Sequence, residues 1–259
     1  MVQFVGAALF VVLLFGAILA CLDAGWRAGR RRISRDPDRA FAGQGAVEGA
    51  VFALMGLLMA FTFSGAASRF DSRRDLIVQE ANAVGTAYLR LDLLPPATQP
   101  ALRDLFRRYL DARLAYYRIG TSDLQAFKKE EARWMALQGE IWSGAVAASG
   151  EGAVPSARML LVPALNEMID ITTTRAAALR MHPSPAIFGM LGVAVLAGAL
   201  LAGWGMAASP ARSLLHVVGF AVLMTVAVYV ILDLEFPRIG FLRVDAFDSL
   251  LADVRASMR

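Results

Sequence analysis

Apolar residues fall into four long runs along this chain, at residues 4–22, 46–67, 186–208 and 214–232. The stretch between the second and third is mixed and periodic instead. Each run supplies the roughly 20 residues a helix needs to cross a hydrocarbon layer about 30 Å thick. The expected class is therefore all-α: a polytopic membrane protein with four transmembrane helices and a helical bundle built on extensions of spans two and three. The pattern divides the chain into residues 1–67 for the first two spans, 68–183 for the soluble bundle, 184–234 for spans three and four, and 235–259 for an amphipathic tail. No segment alternates with the two-residue period of a strand.

The second span organises the rest. No proline occurs between Pro37 and Pro95, so one helix can run from about Gly45 to Leu94, on the order of 70 Å at 1.5 Å per residue. Its second half must stand in water. Gly56, Ala60, Ser64 and Ser68 form a small-residue stripe at four-residue steps, expected to seat another helix backbone. Gly45, Gly49, Ala53, Leu57 and Phe61 form a second row that grows bulkier toward one end. Farther on, Phe63, Ala67, Phe70, Ile77, Ala81, Val84, Tyr88 and Leu91 keep three- and four-residue steps, the seam of a helix packed in a bundle. Only Arg74 interrupts them.

Three more soluble helices follow from start and stop signals. Pro100 sits in the first turn of a helix expected to bury Leu102, Leu105, Phe106, Tyr109 and Tyr116, with Arg113 buried by its stem, and to stop at Gly120. Ser122 and Gln125 have capping-box spacing for the next helix, which presents Phe127, Trp134, Ile141 and Trp142. The third runs from about Ser156 to Met181, with Pro163 expected to kink it or to mark its beginning. The tail is amphipathic through Phe247, Leu250, Leu251, Val254 and Met258. That face suits either the bundle or the membrane surface.

Composition supports the membrane reading: 57% of residues are hydrophobic and the mean hydropathy is +0.53. The net charge of +4 does not point to nucleic acid, because the arginines cluster at membrane edges and in mixed-charge helices. Arg27, Arg30, Arg31, Arg32, Arg35 and Arg39 in the first loop would put that loop in the cytoplasm, whereas Arg69, Arg73, Arg74, Arg175, Arg180, Arg238 and Arg243 favour the opposite orientation. The apolar N-terminal run has no basic residue ahead of it and reads as an anchor rather than a cleaved leader. Cys21 is the one cysteine, which excludes an intrachain disulfide and a CxxC pair.

Candidate chemistry is sparse. Nucleophile-and-base pairs, phosphate loops, HExxH and metal-ligand spacings are all missing from the sequence, so neither an enzyme nor a metal or other cofactor is expected. The ionisable groups at span ends are Glu48, His216, Asp233 and Glu235, where charges are costly enough to invite a functional reading.

Two motifs resemble a known family. Residues 58–77, LMAFTFSGAASRFDSRRDLI, resemble the second transmembrane helix of bestrophins and its exit from the membrane, with Ala66 or Ala67 followed by Arg69, Phe70 and Arg74. Residues 232–244, LDLEFPRIGFLRV, resemble the signature after the last span in the bestrophin-like family of bacterial membrane proteins, carried here by Asp233, Glu235, Pro237 and Gly240. The resemblance implies a homo-oligomer, a pentamer, in the bacterial inner membrane with its soluble helices cytoplasmic. It also implies an anion pore lined by the second helix at Ala53, Leu57 and Phe61. Ala53 is smaller than the residue the family places there, and the acidic calcium clasp of animal bestrophins has no counterpart after Pro237. Arg69 and Arg73 would attract anions to such a pore, and the partners expected are membrane lipid, other copies of the chain and anions. The alternative function is a non-conducting sensor or scaffold whose bundle binds a partner, a topology that flagellar stator proteins share in outline.

Overall fold

The structure is a computed structural model that describes residues 2–35, 44–119, 123–150, 153, 156–209, 212–236, 241–242 and 248–258. Among these residues every regular element is helical, and four helices are long and apolar enough to cross a membrane. The helices are α1 (Val2–Arg35), α2 (Gln44–Leu89), α3 (Gln99–Ile119), α4 (Leu124–Ala148), α5 (Ala157–Arg180), α6 (Pro185–Met206), α7 (Leu214–Glu235) and α8 (Ser249–Ser257). A short 3-10 turn, Arg90–Leu93, continues α2. The long second helix is unbroken from Gln44 to Leu89, through the membrane-exit residues 68–75. The chain divides into two compact units, Met1–Phe70 with His182–Leu242 and Asp71–Met181 with Arg243–Arg259.

The first unit holds α1, the N-terminal part of α2, α6 and α7. Its core is aliphatic, with Ile18 and Leu22 from α1, Met55 and Ala66 from α2, Leu191, Val195 and Ala199 from α6, and Ala221 and Ile231 from α7. Helices α1 and α6 approach until their backbones touch. A Cβ on Gly25 would stand 2.0 Å from the Leu200 carbonyl oxygen, one on Gly203 would stand 2.0 Å from that of Leu22, and one on Gly29 would stand 2.6 Å from the Ala207 Cβ. In lipid, where apolar burial gives helices no reason to associate, such close packing is the available attraction. Of the span-three glycines, Gly203 thus serves α1, whereas Gly198 receives the Met55 side chain and Gly205 faces Glu48, both of α2. Ser184 accepts a hydrogen bond from the Ala186 amide and Pro185 opens α6, a start that also stops α5 from running on through Pro183.

The second unit packs the rest of α2 with α3, α4, α5 and α8. Its core is aromatic and aliphatic: Tyr88 meets Phe106 edge-on at 5.8 Å, and Tyr116 contacts both Phe127 and Trp134. The seam of α2 holds from Ile77 to Leu91, all buried, whereas Phe63 at its membrane end is exposed. Two local expectations change, at Ser122 and Arg113, and at Pro163 one of two alternatives falls. The N-cap of α4 is Asp123, whose carboxylate accepts from the Gln125 and Ala126 amides, while Ser122 lies outside the described residues. A carboxylate takes both orphan amides at a helix start and suits the positive end of the dipole. Pro163 lies inside α5, which begins six residues earlier at Ala157. Arg113 is buried to its tip rather than by its stem alone.

Helix α8 settles where the tail goes. Leu251 is fully buried in the second core, Leu250 and Val254 pack against it, and Arg255 forks onto Asp111 of α3 at 2.8 and 3.1 Å. The apolar face is spent on the bundle. Phe247 lies outside the described residues.

Candidate functional site

A helix turns about 100° per residue, so a four-residue row drifts by roughly 40° at each step. The two rows read on α2 drift in the same sense and stay parallel, so that Ala53, Leu57 and Phe61 together with Gly56, Ala60, Ser64 and Ser68 occupy one band roughly 140° wide. All seven residues are exposed. Leu57 is 53% and Phe61 69% accessible, and the space beyond Gly56, Gly45 and Gly49 is open. The small stripe thus seats no helix of its own chain at Gly56. The buried side of the same segment is instead Met55, Thr62 and Ala66, with the Thr62 hydroxyl donating back to the Leu58 carbonyl. The small residues that admit close approach inside the chain stand on α6 and α1, so those of α2 are left facing outward.

Arg69 and Arg73 lie about 120° and 160° around the axis from Leu57 at that spacing. Arg69 donates to Glu235 from Nε at 2.8 Å and lies 2.7 Å from it through Nη2. Arg73 is 4% exposed and donates to the last carbonyls of α5, Ala178 at 3.3 Å and Met181 at 3.1 Å. A guanidinium there meets the negative end of a helix dipole and satisfies carbonyls that the helix leaves open. The family resemblance places both arginines beside a pore, as groups that would attract anions. In the fold Arg69 pairs with Glu235 and Arg73 closes the end of α5, both turned from Leu57 although Arg69 is only about 80° around the axis from Phe61.

The motif after the last span has a physical explanation in the first unit. Glu235, wholly buried at the end of α7, lies between Arg69 and His182, whose Nδ1 is 2.8 Å from its other oxygen. The His182 ring stacks on Phe236 at 4.7 Å. Two residues earlier, the Asp233 carboxylate accepts the Phe241 amide at 3.0 and 3.1 Å and the Leu242 amide at 2.9 Å, tying the returning chain to the helix end. Pro237 and Gly240 lie outside the described residues. The other span-end groups are placed simply: Glu48 lies beside Gly205 of α6, and His216 pairs with the Ser213 hydroxyl at 2.7 Å.

Because Arg69 and His182 are each a third exposed, water can recover part of what either loses. Glu235→Gln is therefore expected to cost about 1.5–3 kcal/mol, the range for a hydrogen bond to a charged group. Thermal unfolding in detergent measures it against Asp75→Asn, an exposed control. Equal midpoints for the two variants would remove the structural role assigned to Glu235.

A second set of charges was not legible as a group in the sequence. Glu80 of α2 is completely buried and lies between Arg113 of α3, at 2.6 Å, and Arg175 of α5, at 2.6 Å. Tyr117 donates to Glu80 at 3.1 Å and accepts from Arg113, and Arg175 reaches Asp248 at 2.6 Å. Burial works against the Arg113 charge, yet Glu80 beside it holds the group above the ordinary arginine range. Burial and then the Glu80 charge push the Tyr117 hydroxyl well above the ordinary tyrosine range. Two negative and two positive groups make the cluster neutral. Among the described residues no group of histidine, cysteine and carboxylates has the arrangement of a metal site.

Comparison with known proteins agrees with this architecture. The profile of the Bestrophin-like domain family matches residues 10–246. A crystal structure of a bacterial bestrophin homolog from Klebsiella pneumoniae, carrying a point mutation, has a similar fold, with a TM-score of 0.66 at 14% sequence identity over 93% of this chain and 98% of that one. No curated protein matches the chain. Four membrane-crossing helices, a helical bundle shared with the second of them, and a family match reaching from the first span past the last lead to one conclusion: the chain belongs to the Bestrophin-like domain family.

Proposed function

We propose that this protein assembles as a homo-oligomer in the bacterial inner membrane, a pentamer by the family resemblance, and conducts ions through a pore lined by Ala53, Leu57 and Phe61 of α2. We assign it no enzymatic activity, and by the same resemblance the bundle is cytoplasmic and the conducted ions are anions. The observation that carries the proposal is the outward band of α2. Its large apolar residues, Leu57 and Phe61, stand free of their own chain beside small and hydroxyl-bearing ones. Rings of such side chains around an axis would close a pore by dewetting and open it when they part. The anion preference rests on the resemblance and not on Arg69 or Arg73, which already hold Glu235 and the end of α5.

Chloride flux into proteoliposomes tests the reading. The wild-type protein is expected to conduct, and Phe61→Ala, by removing the bulkiest group of the band, is expected to raise the flux severalfold. Absence of flux in both proteins, or a monomer by native mass spectrometry, would overturn the channel.

A further inference from the structure

The exit of α1 from its apolar segment carries a feature that conduction does not use. Counting about 100° per residue, Leu9, Leu13, Ala20, Arg27 and Arg31 fall within roughly 40° of one line along the helix, and Arg35 lies just beside it. The opposite side, Ile18, Leu22, Gly25 and Gly29, is buried against the first unit. Leu9 and Leu13 are 56% and 62% exposed, and Ala20, Arg27, Arg30, Arg31, Arg32 and Arg35 are all exposed. One outward face thus changes from aliphatic to cationic within two turns.

In a bilayer the aliphatic part of that face meets acyl chains, and the cationic part then stands at the headgroups of the same lipids. Residues 4–22 span on the order of 28 Å at 1.5 Å per residue, close to the hydrocarbon thickness. Arg30 and Arg31 start roughly 12 Å beyond Leu22 by the same rise, and helical side chains lean back toward the N-terminus, which returns their guanidinium groups toward the headgroup layer. Trp26 sits at this level with the Arg30 guanidinium 5.7 Å from its ring, an aromatic anchor of the kind favoured at the interface. Among the described residues the carboxylate engaged here is Asp23, and Arg27 and Arg212 hold it at 2.7 and 2.8 Å. Among the described residues no carboxylate pairs with Arg30, Arg31 or Arg35, and a guanidinium matches a phosphate with two parallel hydrogen bonds.

We propose that the outward face of α1 from Arg27 to Arg35 binds the headgroups of anionic phospholipids. The lipid source follows from continuity of the face: a soluble phosphate compound would use the arginines but not Leu9 and Leu13. The proposal is independent of conduction.

The test titrates phosphatidylglycerol into the full-length protein in detergent and reads bound lipid by native mass spectrometry, with phosphatidylcholine and inorganic phosphate as parallel arms. Wild-type protein is expected to retain phosphatidylglycerol in preference to phosphatidylcholine. The triple variant Arg30→Gln, Arg31→Gln, Arg35→Gln is expected to lose on the order of 100-fold in affinity, from roughly fivefold per arginine near a lipid surface. Arg108→Gln, an exposed arginine on α3, is expected to leave the preference intact. If the triple variant fails to fold, Arg31→Gln alone gives the fivefold reading. Equal retention of the two lipids, unchanged affinity in the arginine variants, or displacement of phosphatidylglycerol by millimolar inorganic phosphate would each overturn the proposal.

Discussion

Glu80→Gln is expected to destabilise the unit of Asp71–Met181 and Arg243–Arg259 by about 3–5 kcal/mol, the range for breaking a buried ion pair from one side. The magnitude follows from what remains. Arg113 is 1% and Arg175 3% exposed, so neither guanidinium can turn to water: Arg113 loses its carboxylate and Arg175 keeps only Asp248. A glutamine offers one acceptor oxygen where Glu80 offered two, so Tyr117 and the two arginines compete for it. Domains hold only about 5–15 kcal/mol in total, so the variant is expected to be largely unfolded in that unit at moderate temperature. The measurement is denaturant unfolding followed by the fluorescence of Trp134 and Trp142, both in α4.

The same physics makes a second, opposite expectation. Replacing all three charges together, as Glu80→Leu with Arg113→Met and Arg175→Met, leaves no unpaired charge in the core, and such replacements are often neutral or stabilising. Asp248 keeps access to water, at 16% side-chain exposure. The triple variant should therefore be more stable than Glu80→Gln alone. A triple variant less stable than the single one would show that the cluster holds the bundle by geometry and not by charge balance.

Gly203→Leu is the other large effect, in the first unit. Its new side chain would begin 2.0 Å from the Leu22 carbonyl oxygen, and Gly25 repeats the arrangement from the other helix against Leu200. A flexible side chain in the way could swing aside, but here the obstacle is backbone on a straight helix. Overpacking a core ordinarily costs about 1–3 kcal/mol, and an unyielding neighbour puts this site at the top of that range or above. Gly219→Leu on α7 is the control, since nothing lies within 4 Å of the added carbon. Equal thermal midpoints for Gly203→Leu and Gly219→Leu would mean that α1 and α6 separate without penalty.

Several features of the chain were open to a reader of the sequence for reasons that are purely local. Membrane-crossing length depends on a count of apolar residues, and the absence of proline from Pro37 to Pro95 permits a long α2. Caps and stops such as Ser184, Pro185 and the proline at residue 183 act on neighbouring backbone groups. The close approach at Gly25 and Gly29, by contrast, emerged only from the fold. Where the sequence left two choices, as for the tail, only packing could decide. Arg255 and Leu251 find Asp111 and the aromatic core, and a face spent there is not available to a membrane.

The charged residues mark the limit. Glu80, Arg113, Arg175 and Asp248 are separated by 33, 95 and 73 positions along their bonded pairs, and no periodicity relates one to another. Arg69 and Arg73 look alike in sequence, two basic residues at a membrane edge, yet one pairs with Glu235 and the other closes α5. Span number and helix class follow from interactions within a few residues, which sequence order encodes directly, whereas the outward position of the α2 band depends on which side of α2 the other helices cover. Which charge meets which is fixed by contacts between distant segments, because a buried ion is tolerated only where the complete fold brings a counter-charge within hydrogen-bonding distance.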